Sequence, residues 1–130
     1  MRAGRAPAAR ACMLATALSG GAIIAAAASL AQNAPAAPAA FSQCSVCHSI
    51  DGSNGTGPTL KGLIGRRSGT VPGFRYSRAM KSAAIVWGDA TLDRYLTNPQ
   101  ELVPGNIMPF AGVTEAQERA EVIAYLRTLR

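Results

Sequence analysis

The sequence is poor in the residue types that hold metal ions or crosslink small proteins. Its 130 residues include only three cysteines and one histidine, His48. A closed zinc site needs four nitrogen or sulfur ligands, and Cys12 lies far upstream of Cys44 and Cys47. A thioredoxin-like redox pair needs a βαβ context, and no strand pattern stands out. The sequence therefore favours neither a zinc site nor a redox dithiol.

The chain also lacks the charge pattern of a nucleic-acid-binding protein. Thirteen Lys and Arg residues stand against seven Asp and Glu residues. Three of the basic residues, Arg2, Arg5 and Arg10, lie in an N-terminal segment that we expect to be removed. Ten basic and seven acidic residues then remain, which gives a net charge of +3. No basic helix or aromatic stacking platform accompanies this excess, so we expect no nucleic-acid partner.

The N-terminus has the features of a secretory signal peptide. A basic start is followed by an uncharged, alanine-rich stretch, and Ser29-Leu30-Ala31 has the small-x-small form of a cleavage site. We predict a signal peptide over residues 1–31, an Ala/Pro-rich linker over residues 32–40 and a folded domain over residues 41–130. An uncleaved membrane anchor is the alternative, because the apolar run is long enough to span a bilayer.

Cleavage would leave Cys44 and Cys47 as the remaining cysteines, which excludes a disulfide framework. They stand in Cys-Ser-Val-Cys-His, the spacing of a covalent attachment site for a c-type haem. One helical turn between the cysteines brings both thiols within reach of the two vinyl groups of the porphyrin. His48 follows directly, so its imidazole can face the iron. We therefore predict one haem with His48 as an axial ligand.

The remaining chain indicates an all-α domain with much loop. A short helix is predicted to lead from Phe41 into the cysteine motif, and others over residues 76–84 and 91–98, the latter ended by Pro99. Residues 103–109 cannot form a regular helix, because two prolines favour extended residues before them. The clearest helix is predicted to begin at Thr114, where Thr114-Glu115-Ala116-Gln117 has the form of a capping box.

The residue types alone do not identify the sixth ligand of the iron. A second histidine is absent, so the candidates are methionine, lysine or no protein ligand. Met80 lies in a predicted helical turn, where packing is the simpler role. Met108 lies between prolines in an extended loop that can present its thioether opposite His48. Ligation by His and Met raises the reduction potential and closes the coordination sphere, which favours electron transfer over catalysis.

From about Phe41 to Leu129 the sequence resembles the class I cytochromes c, in the bacterial, mitochondrial-like, single-haem form. Beyond the cysteine motif, the blocks of the family follow in order: Gly57-Pro58-Thr59-Leu60, Pro72-Gly73-Phe74, Val86-Trp87, Tyr95-Leu96-x-Asn98-Pro99, Pro104-Gly105-x-x-Met108 and Ile123-Ala124-Tyr125-Leu126. The resemblance implies the small all-α cytochrome c fold, with short helices and loops around one covalent haem.

The resemblance also implies roles for individual residues. Cys44 and Cys47 would carry the haem thioethers, with His48 and Met108 as axial ligands. The carbonyl of Pro58 would accept a hydrogen bond from the His48 ring. Arg66, Tyr76 and Trp87 would contact a haem propionate. Tyr95 would place its hydroxyl near Met108, and Phe110 would lie beside the haem. Val122 and Tyr125 would pack the two terminal helices together.

The implied function is one-electron carriage in the bacterial periplasm by a monomer, with no enzymatic activity. Implied partners are quinol–cytochrome c reductase or a periplasmic dehydrogenase, and a terminal oxidase or reaction centre. Two alternatives are a peroxidase or gas-binding haem protein with an open sixth position, and a domain that residues 11–31 anchor to the membrane. Mitochondrial relatives carry lysines around the haem edge, whereas this chain has mostly Gln43, Gln100, Glu101, Ile107, Thr114 and Glu115 there. We expect docking at this edge to be largely apolar and weakly salt-dependent.

Overall fold

Short helices joined by long loops form the domain that the computed structural model describes, residues 35–130. The predicted signal peptide and the first three residues of the predicted linker lie outside the described residues. A single 3₁₀ turn, Ala39–Phe41, leads into α1, Ser42–Ser45. The other helices are α2, Arg78–Ser82, α3, Asp89–Thr97, α4, Pro99–Leu102, and α5, Ala116–Leu126. The only β pairing among residues 35–130 is an isolated antiparallel bridge between Arg67 and Val86, so the all-α prediction is confirmed.

Side chains outside the helices set the beginnings of α2 and α3. Ser77 precedes α2 and accepts a hydrogen bond from the Met80 amide at 3.1 Å, the usual role of an N-cap serine. Before α3, the Gly88 amide donates to the hydroxyl of Thr91 at 2.8 Å. Thr91 therefore lies in the first turn of α3. The helix begins at Asp89, two residues before the predicted start.

The short helix α4 was not predicted. Pro99 does end α3, as expected, but it also occupies the first position of α4, where a missing amide costs nothing. Asn98 caps α4 by accepting from the Glu101 amide at 3.3 Å. As predicted, no regular helix forms between Val103 and Pro109, and the chain turns at Pro104 and Gly105.

The capping box at Thr114 was wrong. Helix α5 begins at Ala116, after Glu115, and no side chain caps it. The backbone before the helix is held instead by Arg119, whose Nη1 donates to the carbonyls of Val113 at 2.9 Å and Thr114 at 2.8 Å. The same guanidinium reaches Asp93 of α3 at 2.9 Å. A long-range clamp therefore replaces the local cap.

The core lies where α5 meets α3 and the N-terminal turn. Val122 is fully buried, and Leu126 and Leu92 are nearly so. The ring of Phe41 meets the edge of Tyr125 with centroids 4.7 Å apart, a favourable aromatic geometry. Two prolines shorten the N-terminal helical segment, yet this contact still joins the two ends of the domain, as the resemblance implied.

Within residues 35–130, no helix has the length and apolar character needed to cross a membrane.

Candidate haem-binding site

One tight turn places the two cysteines and the histidine. The carbonyl of Cys44 accepts hydrogen bonds from the amides of Cys47 at 3.1 Å and His48 at 2.9 Å. The helical path of α1 therefore continues for about one turn, which brings the two thiols to the same side. Burial raises the pKa of the Cys44 thiol, and a backbone hydrogen bond opposes this shift. Both cysteines are half-buried and free, and both line a cavity.

The His48 ring is fixed by the chain ten residues further on. Its Nδ1 atom lies 2.6 Å from the carbonyl oxygen of Pro58. A carbonyl can only accept, so Nδ1 is the protonated nitrogen of the neutral ring. Nε2 then keeps its lone pair, which is the form in which histidine binds a metal. The contact is the one that the resemblance implied for these two residues.

Gly57 leaves the room that the His48 ring occupies. A Cβ atom at position 57 would lie 2.5 Å from Cε1 and 2.9 Å from Nε2 of His48, closer than nonbonded atoms approach. The Gly57 amide also donates to the carbonyl of Cys47 at 2.8 Å. The chain therefore passes directly beside the ring, and only glycine fits there. The Gly-Pro pair was noted in the sequence, but the steric role of the glycine was not.

Asn106 organises the loop that carries Met108. Its side-chain oxygen accepts from the Met108 amide at 2.9 Å, and its amide nitrogen donates to the carbonyls of Pro99 and Val103 at 2.9 and 3.1 Å. The sequence analysis assigned no role to this asparagine. Asparagine side chains commonly form turns by hydrogen-bonding to the backbone two residues further on. The sequence could therefore have indicated this contact.

Two loops are paired so that Arg66 and Trp87 become neighbours. The Trp87 amide donates to the Arg66 carbonyl at 2.9 Å, and the Gly65 amide donates to the Trp87 carbonyl at 2.8 Å. Ser68, which is 1% exposed, extends this pairing through its hydroxyl and backbone to Ile85. The two loops therefore hold both residues at the wall of the same cavity.

Among residues 35–130, Arg66 is a half-buried cation with no carboxylate partner. Its guanidinium donates to the carbonyls of Thr59 at 2.8 Å and Lys61 at 2.9 Å. The two ion pairs among residues 35–130 involve other arginines. Burial lowers the pKa of Arg66, and the charge interaction with Tyr76 acts in the opposite direction. A partly desolvated guanidinium of this kind favours an anionic partner.

Three of the four aromatic residues proposed from the resemblance lie in ring pairs. Tyr76 meets Phe74 edge-on at 4.8 Å, and Tyr95 meets Trp87 at 5.0 Å with the rings tilted by 57°. Burial raises the pKa of Tyr76 and raises that of Tyr95 to about 12. Both tyrosine hydroxyls are therefore neutral donors at physiological pH.

A single cavity brings all ten predicted site residues together. It is lined by both cysteines, His48, Pro58, Arg66, Tyr76, Trp87, Tyr95, Met108 and Phe110. The alternative ligand Met80 also lines it, but this side chain is buried in α2. The rest of the lining is mainly apolar and includes Leu60, Leu63, Leu92, Leu96, Val122 and Leu126.

The chemistry of this lining fits a haem. The apolar walls suit a porphyrin face, the two thiols suit its vinyl groups, and an imidazole with a free Nε2 suits its iron. The thioether of Met108 is a further ligand of the type that haem iron accepts. The guanidinium of Arg66 suits a propionate. Cavity residues thus provide a donor or a contact surface for each part of the cofactor.

Comparison with known proteins identifies the family. A sequence model of the cytochrome c family matches residues 34–130. Cytochrome c of Euglena viridis is 53% identical over 85 residues, which are 65% of this chain and 83% of that protein. Cytochrome c2 of Rhodomicrobium vannielii is 46% identical over 90 residues, 68% of this chain and 72% of the relative.

The fold agrees with a solved structure of the same family. Cytochrome cH from Methylobacterium extorquens superposes with a TM-score of 0.66 at 39% identity, covering 68% of this chain and 91% of the other. The chain therefore belongs to the cytochrome c family, as a class I member with one covalent haem c, and is an electron-transfer protein rather than an enzyme.

Proposed function

We propose that this protein is a soluble periplasmic carrier of single electrons whose haem c is held by Cys44 and Cys47 and ligated by His48 and Met108. When bound, the haem supplies an iron that alternates between the ferric and ferrous states. The chain supplies the ligands, the apolar surroundings and the hydrogen bonds that set the reduction potential. The observation that carries this proposal is the single cavity that both axial candidates line.

Ligation by His48 is supported by the state of its ring. The Pro58 carbonyl holds the proton on Nδ1 and leaves Nε2 free to donate its lone pair. Such a second partner also fixes the plane of the ring and raises its basicity. Gly57 permits the same orientation, because a Cβ atom at this position would collide with the ring.

Ligation by Met108 is supported by the loop on which it lies. The prolines on either side restrict the backbone, and Asn106 binds the Met108 amide. Met80, by contrast, lies within α2, where its amide is capped by Ser77 and its side chain contributes to the core. A buried helical methionine of this kind serves as apolar filling.

The polar end of the cofactor would meet Arg66, Tyr76 and Trp87. Arg66 is held by two backbone carbonyls and has charge left to offer an anion. Tyr76 is neutral and can donate from its hydroxyl, since burial raises its pKa. Trp87 is 7% exposed and carries one indole donor. We propose that these groups bind a haem propionate, with Tyr95 and Phe110 beside the Met108 side of the ring.

The proposed docking surface surrounds the cavity mouth and has little positive charge. Ile107, next to Met108, is 68% exposed, and Val46, between the two cysteines, is 79% exposed. Glutamines 43 and 100 are also exposed. Four of the eight exposed basic residues among residues 35–130 lie instead in one segment, as Arg67, Arg75, Arg78 and Lys81. An apolar contact at the cavity mouth gives little electrostatic steering.

We propose partners among the donors and acceptors of the bacterial respiratory or photosynthetic chain. The donor would be quinol–cytochrome c reductase or a periplasmic dehydrogenase, and the acceptor a terminal oxidase or reaction centre. The expected signal peptide supports a periplasmic location and a mature chain from Gln32, which mass spectrometry of the native N-terminus would test. A start at Met1 would favour the anchored form.

Three measurements on the exported holoprotein test this function and the proposed docking surface. A redox titration should give one reversible one-electron step, and the ferrous protein should not bind carbon monoxide, because both axial positions are filled. Rapid carbon monoxide binding would contradict the proposal and favour an open-site haem protein. Electron transfer with a quinol–cytochrome c reductase should change little with ionic strength, whereas a steep fall would contradict the apolar docking surface.

A further inference from the structure

Asn106 is a buried polar side chain whose hydrogen-bonding groups are directed at backbone. It is 6% exposed, although asparagine is rarely buried. Its Nδ2 atom donates to Pro99 at 2.9 Å and to Val103 at 3.1 Å, and its Oδ1 atom accepts from Met108 at 2.9 Å. Two partners are carbonyls and the third is an amide, so only one orientation of the side chain satisfies them all.

These contacts join the Met108 loop to helix α4. Pro99 is the first residue of α4, and Val103 follows its last residue. The backbone of Asn106 adds two more links, because its amide donates to the Val103 carbonyl at 3.0 Å and its carbonyl accepts from Gln100 Nε2 at 3.0 Å. The residue two positions before Met108 is therefore held on both its backbone and its side chain.

We propose that Asn106 is the positioning residue of Met108: it sets how firmly the thioether is held toward the haem iron, and so how well it resists displacement by an external ligand. This inference rests on the proposed ligation by Met108. Asn106 lines the cavity wall, but its amide hydrogens are used by Pro99 and Val103. Its effect therefore passes through the backbone of the loop. Loss of the three side-chain bonds frees the Met108 amide and the end of α4 together.

The test compares Asn106→Ala, Asn106→Ser and Asn98→Ala in the holoprotein. Asn106→Ala removes all three bonds, and Asn106→Ser keeps a hydroxyl that can accept from the Met108 amide. Asn98→Ala is the matched control, because this exposed asparagine caps the same short helix and its side-chain hydrogen bonds go to Glu101. The readout is the affinity of the ferric protein for imidazole, together with the charge-transfer band that methionine gives with ferric haem, and the Tm of each variant.

We expect Asn106→Ala to raise the imidazole affinity about tenfold, the effect of losing one or two net hydrogen bonds. Asn106→Ser should fall between this variant and the natural protein, and Asn98→Ala should lower the Tm without raising the affinity. A change of less than about threefold in Asn106→Ala, or an equal rise in Asn98→Ala, would overturn the inference.

Met108→Ala separates this inference from the proposed ligation. If Met108→Ala abolishes the charge-transfer band while Asn106→Ala leaves band and imidazole affinity unchanged, Met108 is the ligand and only the positioning role fails. If Met108→Ala leaves the band unchanged, the proposed ligation itself fails, and the inference with it.

Discussion

His48 Nδ1 and the Pro58 carbonyl oxygen lie 2.6 Å apart, although the two residues are ten positions apart in the chain. This hydrogen bond assigns the ring proton to Nδ1 and leaves Nε2 free. The relationship depends on Gly57, the residue directly before Pro58. Gly57 lets the backbone pass so close to the ring that a single added carbon would collide with it.

Replacement of this glycine should therefore damage the site directly. In Gly57→Ala, the new Cβ would lie 2.5 Å from His48 Cε1, so the ring or the loop must move. We expect a loss of about 1–3 kcal/mol in the free energy of unfolding, the usual cost of overpacking. We also expect an altered low-spin haem spectrum. Urea titration and optical spectra of the holoprotein measure both effects.

Gly88→Ala is the matched control for this substitution. Gly88 has extended backbone, and a Cβ there would meet nothing within 4 Å. Its stability and spectrum should stay close to those of the natural protein. If both variants behave alike, the steric account of Gly57 is wrong.

The clamp at the start of α5 should matter more than the exposed ion pair at its end. Arg119 is 9% exposed and binds Asp93 and the carbonyls of Val113 and Thr114. Arg119→Met leaves these acceptors without a donor and should lower the free energy of unfolding by about 2–4 kcal/mol. Arg127→Met, which removes an exposed pair with Asp89, should have a much smaller effect. Urea titration measures both variants. Equal losses of unfolding free energy would show that the buried contacts of Arg119 add no stability beyond that of an exposed ion pair.

Ala84 occupies a left-handed conformation with φ of 56°. A Cβ atom makes this region costly, and glycine avoids the cost. Because Ala84 is exposed, Ala84→Gly should raise the free energy of unfolding by about 0.5–1 kcal/mol. Ala83 has helical backbone angles, so Ala83→Gly should lower the free energy of unfolding instead. A destabilised Ala84→Gly variant would contradict this account of the turn after α2.

Tyr95 should make the protein less stable at high pH. Burial raises its pKa to about 12 in the folded state, whereas an unfolded tyrosine titrates near 10. Between these values the unfolded chain loses a proton that the native chain keeps, so stability falls as pH rises. This contribution is complete below about pH 10 and lost by about pH 12. Unfolding titrations from pH 8 to 12 should show a shallower decline for Tyr95→Phe, and an unchanged decline would exclude Tyr95 as its source.

The sequence predicted most of the architecture because local signals governed it. The cysteine spacing indicated the haem, and the prolines at 99, 104 and 109 limited the helices. The capping box at Thr114 was wrong because Arg119 makes contacts with distant α3 and with the preceding loop. Such contacts have no signature in a short stretch of sequence.

The sequence predicted which residues line the site, but not the contacts that hold those residues in place. All ten residues named from the sequence line one cavity. The role of Asn106 was missed because it depends on carbonyls from α4, a helix that was not predicted. The fit of Gly57 against His48 was missed because the close approach arises only when the loop folds back. Both contacts depend on distances between residues, which the residue types alone do not reveal.

The measurement that tests the account most directly is the optical spectrum of the holoprotein in its natural form, in Met108→Ala and in Met80→Ala. Both methionines line the cavity, so Met80→Ala controls for loss of apolar filling. The account predicts a low-spin, six-coordinate spectrum for the natural protein and Met80→Ala, and a high-spin spectrum for Met108→Ala. A spectrum unchanged in Met108→Ala, or high-spin in Met80→Ala alone, would contradict His48/Met108 ligation.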